Sequence, residues 1–205
     1  MKAVLWMIIG YLFGSINWGL LIGKVFYHKD IREYGSGNAG GTNAGRVLGK
    51  KIGYLVIFLD ASKALLCMIL CHLISPGVEQ FAGLAVCVGH CFPIFAQFKG
   101  GKAVASSFGY FLGLMIFTTH EAFFTFISPV VYFFLIVWLK KMVSLASMIS
   151  VTMGALGVFF FVDYKTGFLM LLDAALVIYR HKANIERIKN GTESKVTFDS
   201  KKKTK

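Results

Sequence analysis

Apolar runs, several of them near the roughly 20 residues that a helix needs to cross a bilayer, constrain this chain more than anything else. Inside hydrocarbon every backbone polar group must find its partner within the structure, so such runs read as membrane helices. The residue mix agrees: 56% hydrophobic and only 16% charged, with a mean hydropathy of +0.66, is too apolar for a soluble domain. The expected fold class is all-α, a polytopic membrane helix bundle, with the 205 residues forming one domain.

Seven segments follow from the runs, at about 3–23, 52–74, 80–98, 103–118, 121–139, 142–162 and 167–179. The fourth and seventh are short, so a five-span arrangement holds if those two are re-entrant or interfacial. The second ends at the turn Ser75-Pro76-Gly77. The first starts with one Lys and lacks a small-residue cleavage site, so it reads as a retained span rather than a signal peptide.

A formal charge of +12 invites a nucleic-acid reading, but the cations lie between and after the apolar runs. Alternating the spans puts about 19 of the 22 Lys and Arg on one side, leaving Lys2 and Lys165 opposite and Lys63 within a span. That bias places the N-terminus outside and the C-terminus in the cytoplasm, with no nucleic-acid partner. The basic end of the chain, about 193–205, reads as a disordered tail meeting anionic lipid.

Every polar stretch of interest falls on the cationic side. The first runs Gly35-Ser36-Gly37-Asn38-Ala39-Gly40-Gly41-Thr42-Asn43, with Arg46 just beyond. Successive glycines can turn backbone N–H groups toward one point, making a concave anion site. Ser36, Asn38, Thr42 and Asn43 add short hydrogen-bonding side chains, and Arg46 adds a guanidinium suited to phosphate. A second stretch, Lys99-Gly100-Gly101-Lys102, opens segment four, where free N–H groups and two ammonium groups would meet an anion. It lacks the Walker spacing. Ser144 sits at the mouth of segment six, where capping is the ordinary role. His181 and Asn184, at i,i+3, share one helical face beyond segment seven.

Other groups read as structural. Asp60 and Lys63, at i,i+3 within a span, can neutralise each other, and His90 reads as a packed, hydrogen-bonded histidine. Asp173 has no sequence partner and must face the bundle interior or water. The pairs Cys67/Cys71 and Cys87/Cys91 suggest a four-thiolate metal site. On antiparallel helices the far members would diverge by roughly 12 Å in depth, so buried structural cysteines are expected and no metal.

In combination and order, four motifs are similar to one family. They are Ser36-Gly37-Asn38…Gly40-Gly41-Thr42-Asn43; Gly89-His90…Pro93…Lys99-Gly100-Gly101-Lys102-Ala103; Val143-Ser144-Leu145; and His181…Asn184-Ile185…Arg187…Gly191-Thr192-Glu193. Together they resemble the bacterial acyl-phosphate:glycerol-3-phosphate acyltransferases, over nearly the whole chain. Departures are slight: Gly41 where Ala is common, Ala103 where Gly often follows the Lys, and Ala146 where Ser is frequent.

The resemblance implies seven membrane helices in the bacterial cytoplasmic (inner) membrane and a site facing the cytoplasm. It implies transfer of a fatty acyl group from acyl phosphate to the 1-hydroxyl of glycerol 3-phosphate, giving lysophosphatidic acid and phosphate for phospholipid synthesis. Carried over by motif position, Ser36, Arg46, Lys102, Ser144, His181 and Asn184 are the expected catalytic residues. Gly35, Gly37, Asn38, Gly40, Thr42, Asn43, Lys99, Gly100 and Gly101 are expected to bind substrate. The donor is already activated, so no cofactor is expected. Membrane lipid, and the soluble enzyme that makes acyl phosphate, are the further partners implied. His181 or the donor's own phosphate takes the hydroxyl proton, the substrate being favoured and His181 then positioning a phosphate.

Rival readings fit less well. An organic-phosphate transporter would use similar anion sites, but no internal repeat is present and the cationic motifs share one face. An acyl-CoA-dependent transferase with a His-x4-Asp pair meets only His28…Glu33 and His181…Glu186. A phosphatidyl-type phosphotransferase would need clustered aspartates for a divalent metal.

Overall fold

The computed structural model describes residues 1–196, and among them there are helices and turns but no strand. The helices are α1 (Lys2–Gly14), α2 (Trp18–Tyr27), α3 (Gly41–Val47), α4 (Lys50–Ile74), α5 (Glu79–Cys91), α6 (Val104–Leu114), α7 (Ser128–Lys140), α8 (Val143–Phe161), α9 (Tyr164–Arg180) and α10 (Lys182–Lys189). Five helical stretches are long and apolar enough to cross a membrane: Lys2–Tyr27, Lys50–Ile74, Glu79–Ala96, Phe123–Lys140 and Val143–Phe161. The fourth segment, Val104–Thr119, is apolar but shorter, and α9 is longer than its apolar run suggested.

The first segment departs from the continuous helix expected over 3–23. It breaks at Ser15-Ile16-Asn17, between α1 and α2. Ser15 donates its hydroxyl back to the Tyr11 carbonyl at 2.8 Å, and Asn17 caps α2 by accepting from the Leu20 N–H at 3.0 Å. Short polar side chains next to one another thus offer the backbone an exit that hydropathy alone does not register. Segments four and five each contain a π-helical turn, Met115–Thr119 and Phe123–Ile127, at the end where the chain reverses. Glu121 caps the second by accepting from the N–H groups of Phe123 and Phe124 at 2.8 and 2.9 Å.

Helix α5 is the hub, flanked by α1, α4, α6 and α9. Lipid tails are as apolar as leucine, so membrane helices associate through close packing, and small residues let backbones approach. A Cβ at Gly14 would lie 2.2 Å from the Val86 carbonyl oxygen, and one at Gly89 would lie 2.2 Å from that of Tyr11. Helix α3 lies on α4 in the same way: a Cβ at Gly53 would come within 2.6 Å of the Gly45 Cα.

Met68, Val86, Tyr110, Phe111, Leu114, Val151, Val158, Met170 and Val177 are fully buried, while Leu5, Phe58, Phe134, Trp138, Phe160 and Phe168 face outward. Cys67, Cys71, Cys87 and Cys91 are free and buried. Asp173 lies in the interior with no solvent exposure. The last nine residues of the basic tail, 197–205, lie outside the described residues.

The α1–α5 contact makes a direct test. Gly14→Val should cost about 1–3 kcal/mol by overpacking, read as a lower thermal unfolding midpoint in detergent. A midpoint equal to the parent's would contradict so close a crossing.

Candidate active site

The glycine stretch folds into a tight loop that runs into α3. Gly35 and Gly37 take the left-handed region, at φ +63° and +71°, on either side of Ser36. Asn43 is fully buried and ties the loop together: its Oδ1 accepts from the Ser36 N–H at 2.8 Å, and its Nδ2 donates to the carbonyls of Ile31 and Tyr34 at 2.7 and 3.1 Å. A side chain at Gly35 would strike that same Oδ1.

Part of the expected array of N–H groups is spent inside the loop, while those of Gly35, Asn38, Ala39, Gly40, Gly41 and Thr42 meet no acceptor among the described residues. Ser36 N–H goes to Asn43, Gly37 N–H to the Tyr34 carbonyl, and the N–H groups of Asn43 and Ala44 to the Gly40 carbonyl. Gly41 is buried against Ile57 and the Gly53 carbonyl of α4. The loop also presents side chains outward: Ser36, Thr42 and Arg46 are exposed and Asn38 is half-buried.

The Gly100-Gly101 turn also uses its backbone differently than expected. Gly101 donates its N–H to the His90 carbonyl at 3.0 Å, and both glycines are buried. From the other side the Arg180 guanidinium donates to the carbonyls of Gly101 and Gly100, each at 3.0 Å. The turn is a clamped hinge that delivers Lys102, with the Gly101 N–H committed to His90. Ala103 then starts α6 at φ +60°, a left-handed position that a glycine would relieve. Lys99 is exposed, and its carbonyl faces the guanidinium of Arg32, which also donates to the Ala96 carbonyl at 3.1 Å. Arg32 is paired with Asp30 at 2.6 Å, and the guanidinium holds that carboxyl far below its usual range.

Four of the six expected catalytic residues, Lys102, Ser144, His181 and Asn184, meet around one carboxylate that sequence reasoning quoted but gave no role. Glu193 Oε1 accepts from Ser144 Oγ and from Asn184 Nδ2, each at 2.7 Å, and Oε2 accepts from Arg187 Nε at 2.8 Å. Burial alone would raise the Glu193 carboxyl, but these donors outweigh it and hold it below the usual carboxylate range. Lys102 Nζ donates to Asn184 Oδ1, so the amide bridges ammonium and carboxylate. Burial pushes the Lys102 ammonium down to about 8, with the positive charges of Arg187, Arg46 and Arg180 adding to the shift and Glu193 opposing it.

Arg46, on α3, thus acts on the same ammonium from the glycine loop. The signal for the missed groups was present: His181, Asn184 and Arg187 recur at intervals of three along α10, and the chain then reverses at Gly191, φ +69°, to bring Glu193 back. Val196 donates its N–H to the Lys141 carbonyl at 2.7 Å, which ties down the strap that carries Glu193.

His181 ends α9, 3% exposed, with Nδ1 at 2.7 Å from the Val177 carbonyl. A carbonyl can only accept, so Nδ1 carries the proton and Nε2 presents a lone pair. Burial, ahead of the cations around it, pushes the imidazole down to about 4. It is neutral at physiological pH.

The same arrangement of motifs has relatives. The model of the family described as Glycerol-3-phosphate acyltransferase matches residues 4–191. The chain belongs to this family. The glycerol-3-phosphate acyltransferase of Geobacillus kaustophilus is 44% identical, over 96% of this chain and 97% of its own. That of Macrococcus caseolyticus is 41% identical, over 97% and 99%. Among solved structures, PlsY, an integral membrane glycerol 3-phosphate acyltransferase, is similar in its glycerol 3-phosphate form with a TM-score of 0.85. It is 35% identical and covers 96% of each chain; its lysophosphatidic acid form gives 0.81. The family match stops two residues short of Glu193, which the sequence motif includes and to which the geometry adds a role.

Glu193→Ala would leave Asn184 Nδ2 and the Arg187 guanidinium without their shared acceptor. We expect kcat/KM to fall about a hundredfold or more, since a displacement near 1 Å in a reacting array has that effect. Steady-state kinetics on the folded fraction checks this, and parental kinetics would remove Glu193 from the site.

Proposed function

We propose that this chain transfers a fatty acyl group from acyl phosphate to the 1-hydroxyl of glycerol 3-phosphate, releasing lysophosphatidic acid and inorganic phosphate. The observation that carries the reading is the Lys102–Asn184–Glu193 cluster, with Ser144, His181 and Arg187 in it and Arg46 acting on its ammonium. Cationic and hydroxyl groups outnumber the single carboxylate, as a site for two phosphates requires. The 1-hydroxyl oxygen forms a bond to the acyl carbon, the bond from that carbon to the phosphate oxygen breaks, and phosphate leaves with the electron pair. In this scheme Lys102 and Arg46 hold phosphate with Ser36 of the glycine loop, and Ser144 and Asn184 orient the glycerol backbone.

The proton question turns on His181. With Nδ1–H given to Val177, Nε2 of the neutral ring is an acceptor, and it is assigned to a substrate hydroxyl where the sequence reading favoured phosphate. Its lone pair accepts from that hydroxyl and aims it. An imidazole pushed down to about 4 is also a weak base. The hydroxyl proton therefore passes to a phosphate oxygen of the donor. An apolar groove of about 680 Å³ between α2 and α4, lined by Trp18, Leu21, Ile22, Phe26, Tyr27, Ile52, Leu55 and Leu59, offers room for the acyl chain. It adjoins the glycine loop, since Gly19 of α2 packs against Ala39.

The five long spans together with Val104–Thr119 and α9 make seven crossings of a bacterial cytoplasmic membrane. The cation bias supports an outer N-terminus and a cytoplasmic site, so that water-soluble glycerol 3-phosphate enters from the cytoplasm and acyl phosphate from the bilayer. All of the chain serves this one catalytic domain, with the soluble producer of acyl phosphate as a neighbour.

Phosphate release from purified protein tests the reaction. Release should require both acyl phosphate and glycerol 3-phosphate, survive a chelator and fail with acyl-CoA; release without glycerol 3-phosphate, or none at all in folded protein, would defeat the reading. A pH profile tests the ammonium. KM for glycerol 3-phosphate should climb above about pH 8 as Lys102 loses its proton. Lys102→Arg, charged throughout, should remove that climb. In the absence of substrate the sign for stability is opposite. The folded value lies below the ordinary lysine value of 10.5, so charged Lys102 disfavours folding, and the penalty fades as pH rises from 8 toward 10.5.

A further inference from the structure

Beneath the site lies a second polar cluster that the reaction does not touch. Asp60 and Lys63 of α4 and His90 of α5 are 1%, 3% and 3% exposed. Lys63 Nζ donates to the Gly14 carbonyl and to the Ile16 carbonyl, each at 2.9 Å. It stands 2.9 Å from His90 Nδ1 and 3.2 Å from Asp60 Oδ1. One ammonium thus serves the two carbonyls that the α1–α2 break exposes and also faces a histidine on the hub helix.

His90 passes the arrangement upward. Its carbonyl accepts the Gly101 N–H, and its ring lies so close under Gly101 that a Cβ there would be 2.1 Å from Nε2. Gly100 is equally tight against the His90 carbonyl, at 2.2 Å from an added Cβ. Arg180, the neighbour of His181, holds the same two glycines from above and rests over the Phe92 ring at 5.2 Å. A continuous path therefore runs from the helix break through Lys63, His90 and the glycine turn to Lys102.

We propose that Lys63 is a positioning residue for the acyl transfer, holding His90 and the Gly100-Gly101 turn so that Lys102 meets the substrate phosphate in register. Apolar side chains of similar volume often replace a buried ion pair without loss of stability. An apolar residue at 63, however, would leave the carbonyls of Gly14 and Ile16 without a donor in hydrocarbon. The side chain that repairs the break is also the one that sets the ring beneath Gly101. The proposal rests on the reading of Lys102 as a phosphate ligand.

Three full-length variants in detergent test it. Lys63→Met should raise KM for glycerol 3-phosphate by about tenfold or more in the folded fraction, and should speed hydrogen exchange at the Gly101 amide. Lys63→Arg, which keeps the donors, should recover most of both. If Lys63→Met yields no folded protein, Asp60→Asn/Lys63→Gln, neutral and still able to donate to the two carbonyls, is read by the same criteria. Parental KM, kcat and Gly101 exchange in the folded fraction would overturn the proposal, because a purely structural lysine changes how much protein folds and not how the folded part works. Lys102→Met with a parental KM would instead overturn the ligand reading, while the exchange measurement still decides the role of Lys63.

Discussion

A break in a membrane helix is the constraint on which this structure depends. Hydrocarbon offers no water to free carbonyls, so a chain that leaves its helix inside the bundle must bring a donor with it. At Ser15-Ile16-Asn17 the donor is Lys63, supported by Asp60 and abutting His90. The break frees α2 from the line of α1, and the face of α2 bearing Gly19 and Gly23 then receives Ala39, Ile31 and the Lys29 carbonyl. Without that, the glycine loop has no floor. A charged residue deep in the bundle, costly on its own, is thus part of the reason that a polar loop can sit on an apolar scaffold.

Much of this was legible in the chain. The apolar runs located the long helices, the cation bias gathered the polar stretches on one side, and the Asp60/Lys63 spacing pointed to an internal pair, which the 3.2 Å contact bears out. The histidine at 90 is packed and hydrogen-bonded, as its place within a span suggested. What hydropathy missed was the interruption in the first helix, because Ile16 is apolar and the two polar neighbours act by hydrogen bonds to nearby backbone rather than by lowering the average.

The site was partly legible for a different reason. The resemblance, by motif position, picked out Lys102, Ser144, His181 and Asn184, which are brought together, but could not assign their backbone surroundings. Gly100 and Gly101 look from sequence like amide donors to an anion, whereas the turn gives one N–H to His90 and both carbonyls to Arg180. Asn43 looks like a ligand and is a buried brace. In each case the sequence shows that glycine or asparagine is needed, and only the fold shows which neighbour needs it. Glu193 escaped assignment because its role depends on the chain turning back at Gly191.

The electrostatics then give the site its direction. Lys102 is half-buried among Arg46, Arg180 and Arg187 with Glu193 as the one carboxylate against it among the described residues, so without substrate the ammonium is held where it gives up its proton near pH 8. His181 is neutral for the related reason that burial and the surrounding cations disfavour a further charge. An arriving phosphate supplies the missing negative charge and restores the ammonium, so binding and charge compensation are one event. The carboxylate cannot take that place. Its oxygens are already committed to Ser144, Asn184 and Arg187, and it neutralises part of the cluster while leaving Lys102 to be satisfied by Asn184 alone. A stronger internal anion would make a more stable empty site and a poorer one for phosphate. Among the described residues, the balance left by one carboxylate among four cations favours the occupied state.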